Sequence, residues 1–233
     1  MPELPATPTE LSIAQALEIA NQCPKSALIL DVDETGQNAV PKYFAVVSRL
    51  ILRSYPNLTI PNYAAILAAG SIETAFPKEL RPEIETIMDR IRNHRISVKG
   101  LPLIHPELPS ILTQAQGQGH PVAMYLTTRP DALAKLTAIE LQRNNFPKAP
   151  VVARPASVDR SRTTWWKLNV LKDLADKSPH GIIMVDDSPT LNAAITEANL
   201  QNLHSILIAG PITPKNSNAI TWDQFTDRLQ TFS

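Results

Sequence analysis

Two short segments of the chain place carboxylates directly behind apolar runs. Asp31 and Asp33 follow Ala27 to Leu30 in ALILDVDET, and Asp186 and Asp187 follow Ile182 to Val185 in IIMVDDSP. Such runs read as buried parallel strands, and in an open α/β sheet ligands bind beyond the carboxyl ends of the strands. Four carboxylates in one crevice repel one another unless a cation neutralises them or some keep a proton. A hard divalent ion with oxygen ligands, Mg²⁺ above all, meets that need. A D-x-D pair alone is weak evidence in a chain with 11 Asp, but the preceding strand, Thr35 at the fifth position and the second acidic strand end make the pattern specific.

The elements that must carry these residues are legible from periodicity and punctuation. Thr7-Pro8-Thr9-Glu10 reads as a capping box opening a helix through about Asn21, with Ile13, Ala16, Leu17 and Ala20 on one face. From about Asn38 to Arg95 the pattern turns helical, over Val40 to Ser54, Asn62 to Thr74 and Lys78 to Arg95, with Pro56, Pro61, Pro77 and Pro82 between or at their starts. This reads as a small all-helical insertion at 38–99. Strands at Val122 to Leu126, Pro150 to Ala153, Ile182 to Val185 and Ser205 to Ala209 then alternate with helices at about Pro106 to Ala115, Asp131 to Asn144, Thr163 to Ala175 and Pro189 to Asn199. That alternation predicts right-handed βαβ units and a parallel sheet covered on both faces, closed by a short helix at Trp222 to Leu229.

Composition excludes several classes. Length 233 suits one core with a smaller module, and 22 Lys+Arg against 22 Asp+Glu removes the positive surplus that holds nucleic-acid phosphates or acidic lipids. Nucleic acid and membrane are therefore not expected partners. Cys23, the single cysteine, allows no internal disulfide, and no Cys/His spacing builds a zinc site. The opening MPELPATPTE, with Glu3, Glu10 and three prolines, lacks the basic start and apolar run of a signal peptide, so a cytoplasmic location is expected. His94, His105, His120, His180 and His204 are scattered and read as surface or loop residues. Of the adjacent Trp165 and Trp166, at most one can face a core fully.

Taken in order, LILDVDET, AMYLTTRP at Ala123 to Pro130, Lys167 in TTWWKLNVL, and IIMVDDSP resemble the four motifs of the haloacid dehalogenase superfamily of phosphohydrolases. The order matters, because a response-regulator receiver places its acidic pair first and its phosphorylated Asp later. The resemblance implies a Rossmann-like parallel sheet sandwiched by helices, with core segments 1–37 and 100–233 and a helical C1 cap at 38–99. Asp31 would be the nucleophile, giving an aspartyl-phosphate. Asp33 would protonate the leaving oxygen and then deprotonate water; dehalogenating members lack an acid there, so phosphoryl chemistry is expected. Thr127, at the end of its strand, and Lys167 would hold the phosphoryl group, with Lys172 the competing cation on the same helix. Asp31, the Asp33 carbonyl and Asp186 would hold Mg²⁺, with Asp187 acting through water or orienting Lys167. Arg129 would touch substrate or form a surface ion pair.

The insertion lies where this family places a lid over the site, which assigns substrate choice to it. Lys42, Tyr43, Arg49, Arg53 and Tyr55 lie on or beside its first helix, and a solvated face explains their charges equally well. Gly36 stands where many relatives carry a larger apolar residue. The expected activity is Mg²⁺-dependent hydrolysis of a small phosphomonoester, of the nucleotide or sugar phosphate class. A phosphotransferase or phosphomutase using the same intermediate, and a non-catalytic phosphate-ligand binder, are the competing readings.

Overall fold

The computed structural model describes residues 8–214 and 217–232; Thr7, the expected cap of the first helix, lies outside them. That helix, α1, spans Pro8–Asn21 and leads into β1 at Ala27–Leu30. Four helices follow, α2 at Val40–Ser54, α3 at Tyr63–Ala69, α4 at Ile72–Ala75 and α5 at Arg81–Arg92. The alternating series is α6 (Leu108–Gly117), β2 (Val122–Pro130), α7 (Ala134–Arg143), β3 (Val151–Arg154), α8 (Thr163–Lys177), β4 (Ile182–Asp186), α9 (Pro189–Ala198) and β5 (Leu203–Leu207), with α10 at Phe225–Leu229.

The five strands form one parallel sheet in the order β3-β2-β1-β4-β5. This is the α/β class the alternation predicts. β1 and β4 are adjacent and central, with Ala27 paired to Ile182 and Leu30 to Val185. The register therefore sets Asp31 level with Asp186, and the Asp31 N–H continues the ladder by donating to the Val185 carbonyl at 2.9 Å. Side chains alternate across a strand. Ala27, Ile29, Ile182 and Met184 pack on one face with residues of α1, α8 and α9, whereas Leu28, Leu30, Ile183 and Val185 pack on the other with α6 and α10. Continuing that period puts Asp31 and Asp186 on the α8 side, the helix that carries Lys167.

Helices α2 to α5 bury their apolar faces in a third cluster, with Tyr43, Val47, Ile51, Ile66, Ile84 and Met88 among its members. The expected helix over Asn62 to Thr74 is interrupted. Gly70 takes a left-handed φ of 73°, and Ser71 restarts the chain as an N-cap whose Oγ accepts from the Thr74 N–H at 3.0 Å. At the other end, β5 begins at Leu203 rather than Ser205, because Leu203 and His204 pair with Ile182 and Ile183. Among the described residues no helix is long and apolar enough to cross a membrane.

Candidate active site

The C-terminal ends of β1 and β4 bring three of the predicted acids together. Carboxylate oxygens of Asp31, Asp186 and Asp187 all lie within 4.8 Å of one another. Lys167 reaches into this group from the second turn of α8, its Nζ 2.6 Å from Asp31 Oδ1 and 2.7 Å from Asp186 Oδ2. All three partners of that contact are buried. Lys172, the competing cation, makes no such contact. Two i,i+1 acids on one strand end cannot both point at the lysine, and Asp187 turns instead to the β1 loop: its Oδ1 accepts from the Thr35 hydroxyl at 3.1 Å, and its N–H donates to the same hydroxyl at 3.0 Å.

Electrostatics follow from burial and crowding. Burial raises the Asp31 carboxyl well above the usual range; Lys167 opposes this, and Asp186, Asp187 and Asp33 reinforce it. Burial and then Asp186 push Asp187 up to about 7 against the pull of Lys167 and Thr35. Burial works against the Lys167 ammonium, but the Asp186 and Asp31 carboxylates outweigh it and raise its pKa. One buried cation thus faces three acids, and the excess negative charge in an all-oxygen donor set fits a hard divalent ion. Asp31, Asp186 and Asp187 are the side chains that would hold it.

Asp33 does not join that cluster with its side chain. Both its oxygens face Arg129, with Nη2 2.6 Å from Oδ1 and Nε 2.9 Å from Oδ2. This is a forked, charge-assisted pair. Arg129 is buried, and further donates to Thr137 and Gln37 at 3.2 and 3.1 Å. In place of the expected surface ion pair, Arg129 therefore makes a largely buried one with Asp33, 3% and 21% exposed. The sequence signal for it was present, as an arginine two positions beyond a strand-end Thr, but burial could not be read from it.

Thr127 is likewise not the last residue of its strand. β2 continues to Pro130 through a bulge, since Thr127 pairs with Ala153 and Pro130 with Arg154, leaving Thr128 and Arg129 outside the ladder. Thr127 is fully buried, and its Oγ1 accepts from the Arg129 N–H at 3.2 Å. The bulge re-aims the chain so that Arg129 points inward to Asp33 while Thr128 is exposed.

Three residues supporting the site escaped sequence reasoning. Gly210 lies so close to the acids that an added Cβ would sit 2.7 Å from the Glu34 carbonyl and 3.0 Å from Asp187 Cβ. Trp222 donates its indole N–H to the Thr35 carbonyl at 3.1 Å, tying the C-terminal segment to the β1 loop. Glu34 holds a left-handed φ of 61°, with Oε1 accepting from the Ala39 N–H at 3.1 Å, and burial together with Asp33 and Asp187 pushes its carboxyl up to about 9. Gly36 packs beside Phe146, whose ring an added Cβ would meet at 3.5 Å, an ordinary van der Waals contact. His120 is buried rather than superficial, with Nδ1 2.8 Å from the Ser26 carbonyl. Trp166 is buried and Trp165 exposed.

No family model matches the chain, and no curated protein matches it. Solved structures do. A haloacid dehalogenase-like family hydrolase from Streptococcus pneumoniae superposes with a TM-score of 0.58 at 16% identity, over 90% of this chain and 99% of that one. A candidate β-phosphoglucomutase from Thermotoga maritima gives 0.55 at 14%, over 89% and 100%. The protein tyrosine kinase A of Mycobacterium tuberculosis gives 0.58 at 12%, over 89% and 99%. The likeness is one of fold, and chains with quite different descriptions share it.

Proposed function

From a chain with the fold of the haloacid dehalogenase-like hydrolases, we propose a Mg²⁺-dependent phosphatase that hydrolyses a small phosphomonoester through an aspartyl-phosphate on Asp31. The observation that carries this reading is the shared Lys167 ammonium between Asp31 and Asp186 at the ends of two paired central strands. A nucleophilic carboxylate needs a cation that screens its approach to a phosphate, and Lys167 stands against Asp31 Oδ1 in that role. A bound divalent ion would supply further neutralisation of the acids and of the phosphoryl oxygens.

The residues divide the work by position. The Asp31 carboxylate attacks phosphorus and the leaving oxygen departs from the opposite side. Asp33 delivers a proton to that oxygen and later takes one from the water that cleaves the acyl phosphate. Before it can give a proton its carboxylate must turn from the Arg129 fork and take one up from solvent, and the proton later taken from water regenerates the acid. Thr127 and the bulged backbone after it offer donors to the phosphoryl oxygens, and Lys167 follows the charge as it moves. Helices α2 to α5 form the cap, whose closure over the strand ends excludes water.

The test is phosphate release from a panel of phosphomonoesters and p-nitrophenyl phosphate, with Mg²⁺ or with chelator, for wild type and Asp31→Asn. Hydrolysis that requires Mg²⁺ and vanishes in the variant is expected. Equal activity of the two proteins would reject Asp31 as nucleophile.

A further inference from the structure

The cavity between the helical insertion and the carboxyl edge of the sheet is lined by four arginines together with Asp33, Glu34, Glu73, Asp89 and Asp159, so what matters is which guanidinium donors those acids leave free. Its volume is about 440 Å³, and Arg92 from α5, Arg154 from β3 and Arg160 from the turn before α8 all line it together with Asp33 and Arg129. Two segments distant in sequence, α5 and the stretch from β3 to the turn before α8, thus deliver three guanidinium groups to one wall. Arg129 is not among them, since its fork is occupied by Asp33.

Two of the three have carboxylate partners. Arg92 Nη2 lies 2.9 Å from Glu73 Oε1, and Arg160 Nη1 lies 3.4 Å from Asp89 Oδ1. Asp89 also stands 3.6 Å from Arg92 Nη1, and its side chain is 61% exposed, so one half-solvated carboxylate serves two arginines. Arg154 has no carboxylate within ion-pair distance among the described residues, although its charge helps hold the Asp159 carboxyl below the usual range. Its Nε donates to the Thr128 carbonyl at 3.2 Å and its Nη1 to the Val158 carbonyl, contacts that fix the plane of the guanidinium and leave Nη2 without a hydrogen bond among the described residues. Burial, Arg92 and Arg154 hold the Arg160 guanidinium below its ordinary pKa, with Asp89 and Glu73 opposing them. Arg154 thus keeps a donor without an acceptor and Arg160 a partner that is largely solvated, and their forked donors match the geometry of an oxyanion.

We propose that Arg154 and Arg160, beside Arg92 in the cavity lining, form a second anion subsite, so that the molecule bound here carries a carboxylate or a second phosphate besides the phosphoryl group presented to Asp31. Such a group gives Arg154 Nη2 its missing acceptor and displaces Asp89 from Arg160. The cap then closes on the ligand's charge through Arg92 instead of on its own aspartate. The identity of the cleaved group rests on the phosphatase reading; the anion subsite does not.

The experiment separates the two. Calorimetric titrations into Asp31→Asn with Mg²⁺ compare glycerol 3-phosphate with 3-phosphoglycerate, and fructose 1-phosphate with fructose 1,6-bisphosphate. The two-anion member of at least one pair is expected to bind ten or more times more tightly, and the pair that shows it tells carboxylate from phosphate. Adding Arg154→Gln or Arg160→Gln should reduce the preference to less than threefold, whereas Arg154→Lys, which keeps the charge, should retain part of it. Equal affinities within both pairs, or a preference that survives both Gln variants, would overturn the subsite. Hydrolysis of p-nitrophenyl phosphate by wild type reads the phosphatase reaction independently, so absence of turnover with a retained binding preference would sink the reaction and leave the subsite standing.

Discussion

The strand-end site and the cavity above it use the same kinds of charge in opposite ways. At the strand ends three acids cluster and two of them share one lysine, and the Lys167, Asp31 and Asp186 side chains are each no more than 7% exposed. In the cavity wall, Arg160 and Asp89 are 48% and 61% exposed and meet at 3.4 Å. Removing one member of a buried pair leaves an uncompensated charge, whereas a solvated pair loses little because water replaces the partner. The buried group is thereby fixed in one geometry, as a reaction requires. The exposed group can exchange its partner for a ligand at small cost.

That contrast can be broken at several points. The largest effect is expected at Asp31, where Asn should lower turnover by roughly 10³-fold or more while circular dichroism stays unchanged. Lys167→Met comes next for stability: it strands Asp31 and Asp186, and denaturant melts should show a loss of about 3–5 kcal/mol. If that variant is as stable as wild type, the strand-end cluster is not the dry site described. Arg129→Ala should act through Asp33, reducing kcat roughly 10- to 100-fold with a smaller change in KM and a shifted pH profile, because the acid-base carboxylate loses its station.

A smaller effect concerns pH and metal. Asp187 has a carboxyl raised to about 7 against an ordinary 3.8, so between those values the folded chain holds a proton that the unfolded chain has released. The stability from this group is complete below the lower value and is lost as pH rises through the upper one. In chelator, thermal melts should therefore show the contribution of this site falling from pH 5.5 to pH 8, with Asp187→Asn flattening the difference. Mg²⁺ should stabilise more at pH 8 than at pH 5.5, since protons compete for the same oxygens. The smallest change is expected for Arg160→Gln, under about 1 kcal/mol in the same denaturant melts, because its partner is solvated. A loss as large as that of Lys167→Met would erase the distinction between the two regions.

Much of this arrangement is legible along the chain because its signals are local. An apolar run followed by acids marks a strand and its carboxyl end, and the alternation of such runs with amphipathic helices implies the parallel sheet. The pairing of Lys167 rather than Lys172 with the acids also follows from a local argument, its place near the helix start. Other features depended on chain segments far apart. Arg129 meets Asp33 across 96 positions only because β2 bulges after Thr127. His120 is buried because Ser26 supplies a carbonyl, and no property of its neighbours in sequence announces that.

The sequence by itself determined the strand ends, the residue types gathered at them and the helical insertion, because hydrophobic periodicity and turn chemistry act over a few residues. Only the tertiary structure decided which carboxylate takes which cation: Asp31 and Asp186 share Lys167, Asp33 takes Arg129, and Asp89 takes Arg160. The choice depends on strand register, on one bulge and on how the insertion meets the sheet. Electrostatic energy depends on distance and burial, and neither is a property of spacing along the chain.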